Sequence, residues 1–262
     1  MGVKHLNQYL RKNCVRGIRY TTVAALRGKH VVVDAYNYMY KFKLTNTLEE
    51  QILKFINVFL SNDVHLTFVF DGKPPQHKLL ELERRRVRKR AARTALMTET
   101  NTLRIEKLKR KCVCITPDDI RLVKMVLTNH TIPFLTAVGE SDELCARMVH
   151  DGQADACLSD DMDMLVYGCP WILRNLNIYT EAVTSYSLDI ILEFLKVSRD
   201  DFKKICVVAG TDYYKSSLPL PLIFTLHAEY QKECCTCFLK WVSDKKGLDC
   251  AKLQDTFNLF AV

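Results

Sequence analysis

HVVVDA (residues 30–35), HLTFVFDG (65–72), DACLSDDMD (155–163) and ICVVAGTD (205–212) are short apolar runs that each end in acid. The acids are Asp34, Asp71, the group Asp160, Asp161 and Asp163, and Asp212. The first, second and fourth runs are β-branched or aromatic and nearly continuously apolar, the pattern of strands buried on both faces. Helix-like segments lie between them. Residues 47–61 put Leu48, Ile52, Phe55, Ile56 and Phe59 on one face, with Thr47 placed to cap and Glu50 three residues on. Residues 117–129 open with Pro117, Asp118 and Asp119, and residues 141–151 with Ser141 and acids, as helix N-termini do. Strands alternating with helices predict an α/β fold with a mostly parallel central sheet flanked by helices. Ligands of such sheets sit outside the carboxyl ends of the strands, which is where these acids fall.

Residues 76–115 break the alternation. They contain no Gly or Pro and carry Arg84, Arg85, Arg86, Arg88, Lys89, Arg90 and Arg93, then Lys107, Lys109, Arg110 and Lys111. This predicts a basic helical excursion over the sheet's edge, whose charges would neutralise phosphates and make binding salt-dependent. A solvated helix face is the plainer reading, and RRRVRKR also reads as a nuclear-import signal.

Acids at four strand ends, with the helix start Glu140-Ser141-Asp142-Glu143, predict a carboxylate cluster. Converging like charges raise one another's pKa unless a cation is present. No Cys/His set of ligand spacing lies among them, and all-carboxylate sites suit hard cations, chiefly Mg2+ with Mn2+ as a substitute. Two such ions about 3.5–4 Å apart can clamp a scissile phosphate. Asp161 and Asp163 form a D-x-D pair, and alternate residues of an extended segment face one side. Glu140 and Asp142 are spaced likewise, so Asp160 and Glu143 are expected to face away. Asp118 and Asp119 fit helix-start roles. Taken singly, Asp71 before Gly72 and Asp212 after Gly210 could also be turn residues.

The chain has 262 residues, enough for one large domain, and its net charge of +8 favours a polyanionic partner. No apolar run reaches the roughly 20 residues of a membrane span, so a soluble protein without membrane contact is expected. MGVKHLNQYL lacks the apolar core of a secretory signal, and Leu6 stands where an acylation signal has Ser or Thr. The eleven cysteines are odd in number and scattered, which suits buried free thiols in a reducing, intracellular compartment, nuclear or cytoplasmic. Cys234 and Cys237 have C-x-x-C spacing that Cys250 or His227 could complete as a zinc site, although helix-packing cysteines are the preferred reading.

The motifs MGV, VVVDAYNYMY, FVFDGKPPQHK, VGESDELCARM, SDDMDMLVYG and GTDY, in this order, resemble the flap endonuclease branch of the XPG-type structure-specific 5′ nucleases, from Met1 to about Tyr214. The resemblance implies a PIN-like fold in a single nuclease domain over 1–262. Its parts would be an N-terminal nuclease region 1–75, a helical arch 76–115, an internal nuclease region 116–215 and a divergent helical C-terminal region 216–262. It implies a Mg2+-dependent endonuclease that hydrolyses DNA at a 5′ single-stranded flap in replication, repair or recombination, leaving a 5′-phosphate and a 3′-hydroxyl. Carried over by motif, Asp34, Asp71, Glu140 and Asp142 would mainly hold one divalent ion, and Asp161, Asp163 and Asp212 the second. Lys78 and Arg85 would contact the phosphate. Tyr40 would stack on a base beside the scissile bond, and Gly2 would lie near the active site. The arch would pass a single-stranded 5′ end, with Arg84, Arg88 and Lys89 as further DNA-binding candidates.

After GTDY the chain departs from the family pattern. YYKSSLPLPLIFTLHAEYQ (213–231) lacks the glycines of the hairpin that grips duplex, often with a bound K+, and Pro219 and Pro221 are expected to stiffen a turn there. Gln254, Phe257, Phe260 and Ala261 resemble a sliding-clamp-binding motif, with Ala261 breaking its aromatic pair. A terminal helix packed on the domain is preferred. Within the same superfamily, a 5′→3′ exonuclease, a junction resolvase and an RNA-cleaving relative are alternatives. Blocking the 5′ end separates a threading enzyme from the others. A catalytically lapsed nucleic-acid-binding module is the non-enzymatic alternative, and the presence of all seven acids argues against it.

Overall fold

The structure, a computed structural model, describes residues 2–44, 47–233 and 236–260. Seven strands, β1 (Ile18–Thr22), β2 (His30–Asp34), β3 (His65–Phe70), β4 (Phe134–Thr136), β5 (Ala156–Leu158), β6 (Trp171–Arg174) and β7 (Ala182–Ser187), form one sheet in the order β1-β7-β6-β5-β2-β3-β4. Strands β2 to β6 are parallel, while β7 pairs antiparallel with both β6 and β1. The helices in chain order are α1 (Leu6–Asn13), α2 (Ala35–Lys43), α3 (Leu48–Leu60), α4 (Leu79–Thr98), α5 (Thr102–Cys112), α6 (Pro117–Asn129), α7 (Ser141–His150), α8 (Asp163–Val166), α9 (Leu188–Leu195), α10 (Arg199–Ala209), α11 (Leu220–Tyr230), α12 (Phe238–Lys246) and α13 (Cys250–Asn258). The expected mostly parallel α/β sheet is therefore present.

Alternation along β2 divides the core. Val32 packs with residues of α1, α7 and α10 to α13 on one face. Val31 and Val33 pack with α2, α3 and α6 on the other. Burial on both faces accounts for the unbroken apolar character of the central strands. Thr116 and Asp119 cap α6 reciprocally, so Asp119 serves a helix start as expected.

The fourth acid-ended run is not a strand. ICVVA is the C-terminal half of α10, which begins after the cap Ser198 and stops at Gly210 in a positive-φ conformation (104°). Residues Ile205 to Ala209 are all buried because this end of the helix is covered on every side. A fully enclosed helix loses its polar face, and with it the period that distinguishes it from a buried strand. Asp212 accordingly comes from a loop. The prolines after it also play another part: Pro219 is the N-cap of α11 and Pro221 sits in its first turn, so they start a helix rather than stiffen a turn.

The excursion 76–115 is two helices, α4 and α5, separated at residues 99–101, where the Asn101 side chain caps α5. Cys14, Cys145, Cys157, Cys169 and Cys206 are buried free thiols. The proposed zinc pair includes Cys234, which lies outside the described residues. Among the described residues no helix is long and apolar enough to cross a membrane.

Gly72, just past β3, shows how tightly the loop over α7 is laid. Its amide donates to the Gly139 carbonyl at 2.7 Å. A Cβ there would meet the Ala137 carbonyl oxygen at 1.9 Å and that of Val138 at 2.7 Å. Gly72→Ala is expected to destabilise the fold by about 2 kcal/mol or more through backbone displacement. Urea unfolding checks this: a lower midpoint at unchanged slope is expected, and an unchanged midpoint would contradict the packing described.

Candidate active site

From β2 the chain builds β3 and β4 to one side, then returns to build β5 and β6 on the other, so the switch point lies between β2 and β5. The crevice beyond the carboxyl ends at such a point is where open α/β sheets bind ligands. A cavity of about 300 Å³ occupies it, lined by Asp34, Asp71, Glu140, Asp142, Asp161 and Asp212 together with Lys78, Arg85 and Tyr40.

Asp34 ends β2 and caps α2, accepting from the Asn37 amide at 3.3 Å and from Ser159 Oγ at 2.9 Å. Asp71 follows β3 and accepts from both the amide and Oγ of Ser141 at 2.8 Å. Ser141 opens α7, and a helix N-terminus favours an anion. Its hydroxyl is also 3.2 Å from Asp34, so one side chain ties two strand ends together. Glu140, the α7 N-cap, contacts Lys78 and Tyr213, and Asp212 contacts Arg85.

Asp161 and Asp163 do meet, but not by strand alternation. β5 ends at Leu158 and Asp163 begins α8, its amide donating to Asp161 Oδ1 at 3.0 Å. Asp163 lies deeper, 5% exposed, and accepts from the Val3 amide at 2.9 Å. Asp160 turns to Lys41 and the Asn175 amide, and Glu143 to Arg147, so both face away as expected.

Burial, followed by the charge of Asp71 and then Asp161, pushes Asp34 up to about 7 against the hydrogen bonds from Ser159 and Asn37. Burial, then Asp34 and Asp161, raises Asp142, and burial, then Asp161 and Asp212, raises Asp163. Such crowding is relieved by bound positive charge. The residues fit hard divalent cations: the acidic donors are all oxygen, six carboxylates line the cavity against two cations, and Asp142 Oδ1 is buried without a hydrogen-bond partner. Among the described residues no three acids already surround one point. The carboxylates are instead turned onto Ser141, Ser159, Tyr213, Lys78 and Arg85.

The crowding has a pH signature. Folded Asp34 keeps a proton up to about 7, whereas an unfolded Asp loses it near 4. In that window the folded state binds more protons, so stability falls as pH rises, by up to about 1.4 kcal/mol per pH unit for one group. Urea unfolding in EDTA between pH 5 and pH 7 is expected to show this fall. Added Mg2+ should flatten it and raise the melting temperature. A stability that rises with pH in EDTA would contradict the crowding.

Lys78 lies just before α4. Burial alone would lower its pKa, but Glu140, helped by Asp142 and Asp71, raises it, so it stays cationic. Tyr40 on α2 borders the acidic cavity and also a larger one, about 590 Å³, lined by Arg85, Arg88, Lys89, Arg110 and Lys111 over an apolar floor of Ala91, Ala92, Ala95 and Leu108. Lys89 Nζ lies 5.2 Å from the Tyr40 ring centroid. Arg84 lines neither cavity; its side chain is 62% exposed and its nearest acid is Glu81. Gly2 lies against Asp161 and Asp163. Sequence reasoning missed four supporting residues: Ser141 and Ser159 as carboxylate donors, Tyr213 on Glu140, and Glu81. Glu81 had a legible signal, Arg at +3, +4 and +7 on one helix.

Of the clamp-like residues, Phe257 and Phe260 are packed, Gln254 is exposed, and Ala261 lies outside the described residues. Phe260 is 1% exposed against Tyr167 and Tyr213, and Phe257 lies beneath Lys203. This is the packed terminal helix preferred from the sequence.

Fold and site define an α/β protein of the PIN-like 5′-nuclease architecture with a carboxylate-lined cavity at the sheet's switch point. Family models for the XPG N-terminal domain and the XPG I-region match residues 1–92 and 131–212. Flap endonuclease 1 of Drosophila yakuba is 30% identical over 238 residues, covering 82% of this chain and 61% of the relative. The catalytic core of Rad2 in complex with DNA substrate superposes with a TM-score of 0.72 at 20% identity, covering 97% of this chain and 85% of that one. The Holliday junction-resolving enzyme GEN1 in complex with product DNA and Mg2+ gives 0.61 at 16% identity, covering 90% and 54%. At those identities the structures speak for the fold. The chain belongs to the XPG-type flap endonuclease family. It spans about six-tenths of the length of the curated relatives it matches.

Proposed function

We propose that this protein is a structure-specific nuclease that hydrolyses DNA at the base of a 5′ single-stranded flap, with Mg2+ as its cofactor and Mn2+ as a substitute. One observation carries the reading: six of the seven acids, with Lys78, Arg85 and Tyr40, line a single cavity that adjoins the basic cavity of the α4–α5 arch, and the seventh, Asp163, is buried beside Asp161. The family match and the DNA and Mg2+ recorded for the solved relatives support it.

Asp34, Asp71, Glu140 and Asp142 would hold one ion, and Asp161, Asp163 and Asp212 the other. The ions supply Lewis acidity and charge neutralisation at the phosphate. Glu140 and Asp212 now hold Lys78 and Arg85. With Glu140 and Asp212 among the residues that would hold the ions, Lys78 and Arg85 would be free to bind the non-bridging phosphate oxygens. Tyr40 offers a ring face to the adjacent base, and Arg85, Arg88 and Lys89 neutralise the backbone of the strand in the arch. Clamp binding through residues 254–260 would require Phe257 and Phe260 to leave their packing, so helix packing is the reading we adopt. A nuclear location accords with this activity.

A 5′-labelled double-flap DNA, with single-strand and duplex controls, tests the function in Mg2+ and in EDTA. Metal-dependent cutting at the flap base is expected, and a bulky block on the 5′ end should inhibit it. Binding without cutting in both Mg2+ and Mn2+ would refute the nuclease and leave a nucleic-acid-binding module.

A further inference from the structure

We propose that Glu81 is a positioning residue: it orients Arg85 for the phosphate and ties the root of the arch to the chain after Asp212 through Lys215. The first role rests on the nuclease reading above; the second does not. Glu81 lies one turn before Arg85 on α4, and its side chain is only 7% exposed. Four cations surround it. Arg88 Nη2 is at 2.6 Å, Arg85 Nε at 3.5 Å, Lys215 Nζ at 3.8 Å and Arg84 Nη1 at 3.9 Å. Burial alone would raise its pKa; Lys215 first, then Arg88 and Arg85, bring it below its usual value, so it stays an anion at neutral pH.

Arg85 is shared between two carboxylates. Its Nε faces Glu81 while its Nη2 meets Asp212. A guanidinium is a rigid planar fork, so holding one edge directs the other. Glu81 holds the edge that the phosphate does not need. Without its charge, the carboxylate left to Arg85 is Asp212, which we assign to the metal site. Arg84, Arg85, Arg88 and Lys215 would then repel one another. Three of these cations come from α4 itself; Lys215 comes from residues 213–219, between Asp212 and α11. One carboxylate thus joins the arch, the phosphate-binding arginine and the segment carrying Asp212.

Glu81→Gln keeps the size and a carbonyl acceptor but removes the charge. On a 5′ flap, kcat is expected to fall about 10- to 100-fold while KM changes less than about threefold, the mark of lost orientation. Amide hydrogen exchange in 213–218 should quicken about tenfold, and Lys215→Met should quicken the same amides. Glu81→Asp, which keeps the charge, should recover part of both effects. A purely structural role would lower the melting temperature of Glu81→Gln yet leave kcat per folded molecule unchanged. That result, or unchanged exchange in 213–218, overturns the proposal. If the wild-type protein cuts no DNA, the nuclease reading and the Arg85 role fail together. The exchange arm then still decides the tie between α4 and Lys215.

Discussion

Asp161→Ala is expected to cut flap DNA at least about a thousandfold more slowly than wild type in Mg2+, a loss of roughly 4 kcal/mol of transition-state stabilisation. Asp161 lines the cavity, and its charge helps push Asp34, Asp142 and Asp163 upward. Removing it takes away an oxygen donor that the proposed function assigns to the cation, and also one source of repulsion. The metal-free variant should therefore be at least as stable as wild type, since among the described residues the Asp163 amide is the donor that loses its acceptor. Flap binding in Ca2+ should stay within about threefold, because Arg85, Arg88 and Lys89 are untouched. Single-turnover cutting, a gel-shift titration and a melting curve test all three parts. A normal cutting rate in Mg2+ would mean that the acids have been assigned to the wrong role.

Gly2→Ala is the second large effect, and it follows from space alone. Gly2 has φ 88°, and a Cβ built on it would lie 2.5 Å from Asp161 Oδ1 and 2.6 Å from Asp163 Oδ1. A methyl group must push both carboxylates aside, and the left-handed backbone adds about 1 kcal/mol of strain for any residue with a Cβ. A displacement near 1 Å at a site that orients a phosphate costs on the order of a hundredfold in rate. The Mg2+ concentration for half-maximal cutting should rise with it, because the displaced groups are two of the acids assigned to the metal. A Mg2+ titration of the cutting rate measures both. An unchanged rate at an unchanged Mg2+ requirement would show that the N-terminus can move away from the site.

Much of the sheet and its site was legible along the chain. Strands β2, β3 and β5, and helices α3, α6 and α7, fall where the apolar runs and caps placed them. Asp34 at the end of β2 and Asp71 just after β3 could be read because the carboxyl ends of buried parallel strands form the ligand-binding end of such a sheet. The misreading of 205–209 as a strand has a plain cause: a helix enclosed on every side shows no polar face. Its signal lay upstream, where Ser198 caps a first turn containing Asp200 and Asp201. Asp161 and Asp163 come together, but through a turn into α8 rather than the extended backbone assumed for D-x-D.

The sequence by itself determined the chemistry available to this protein: oxygen donors without His or Cys among them, apolar runs to carry them, and a basic helical pair beside them. Which groups meet was decided by tertiary structure. Arg85 reaches Asp212 across 127 residues, and Ser141 reaches back 70 residues to Asp71. Glu81 gains Lys215 because the chain after Asp212 is laid beside α4. A side chain's donors and charge are local properties. Its partners depend on strand order and on the packing of helices over both faces of the sheet, which no local pattern contains.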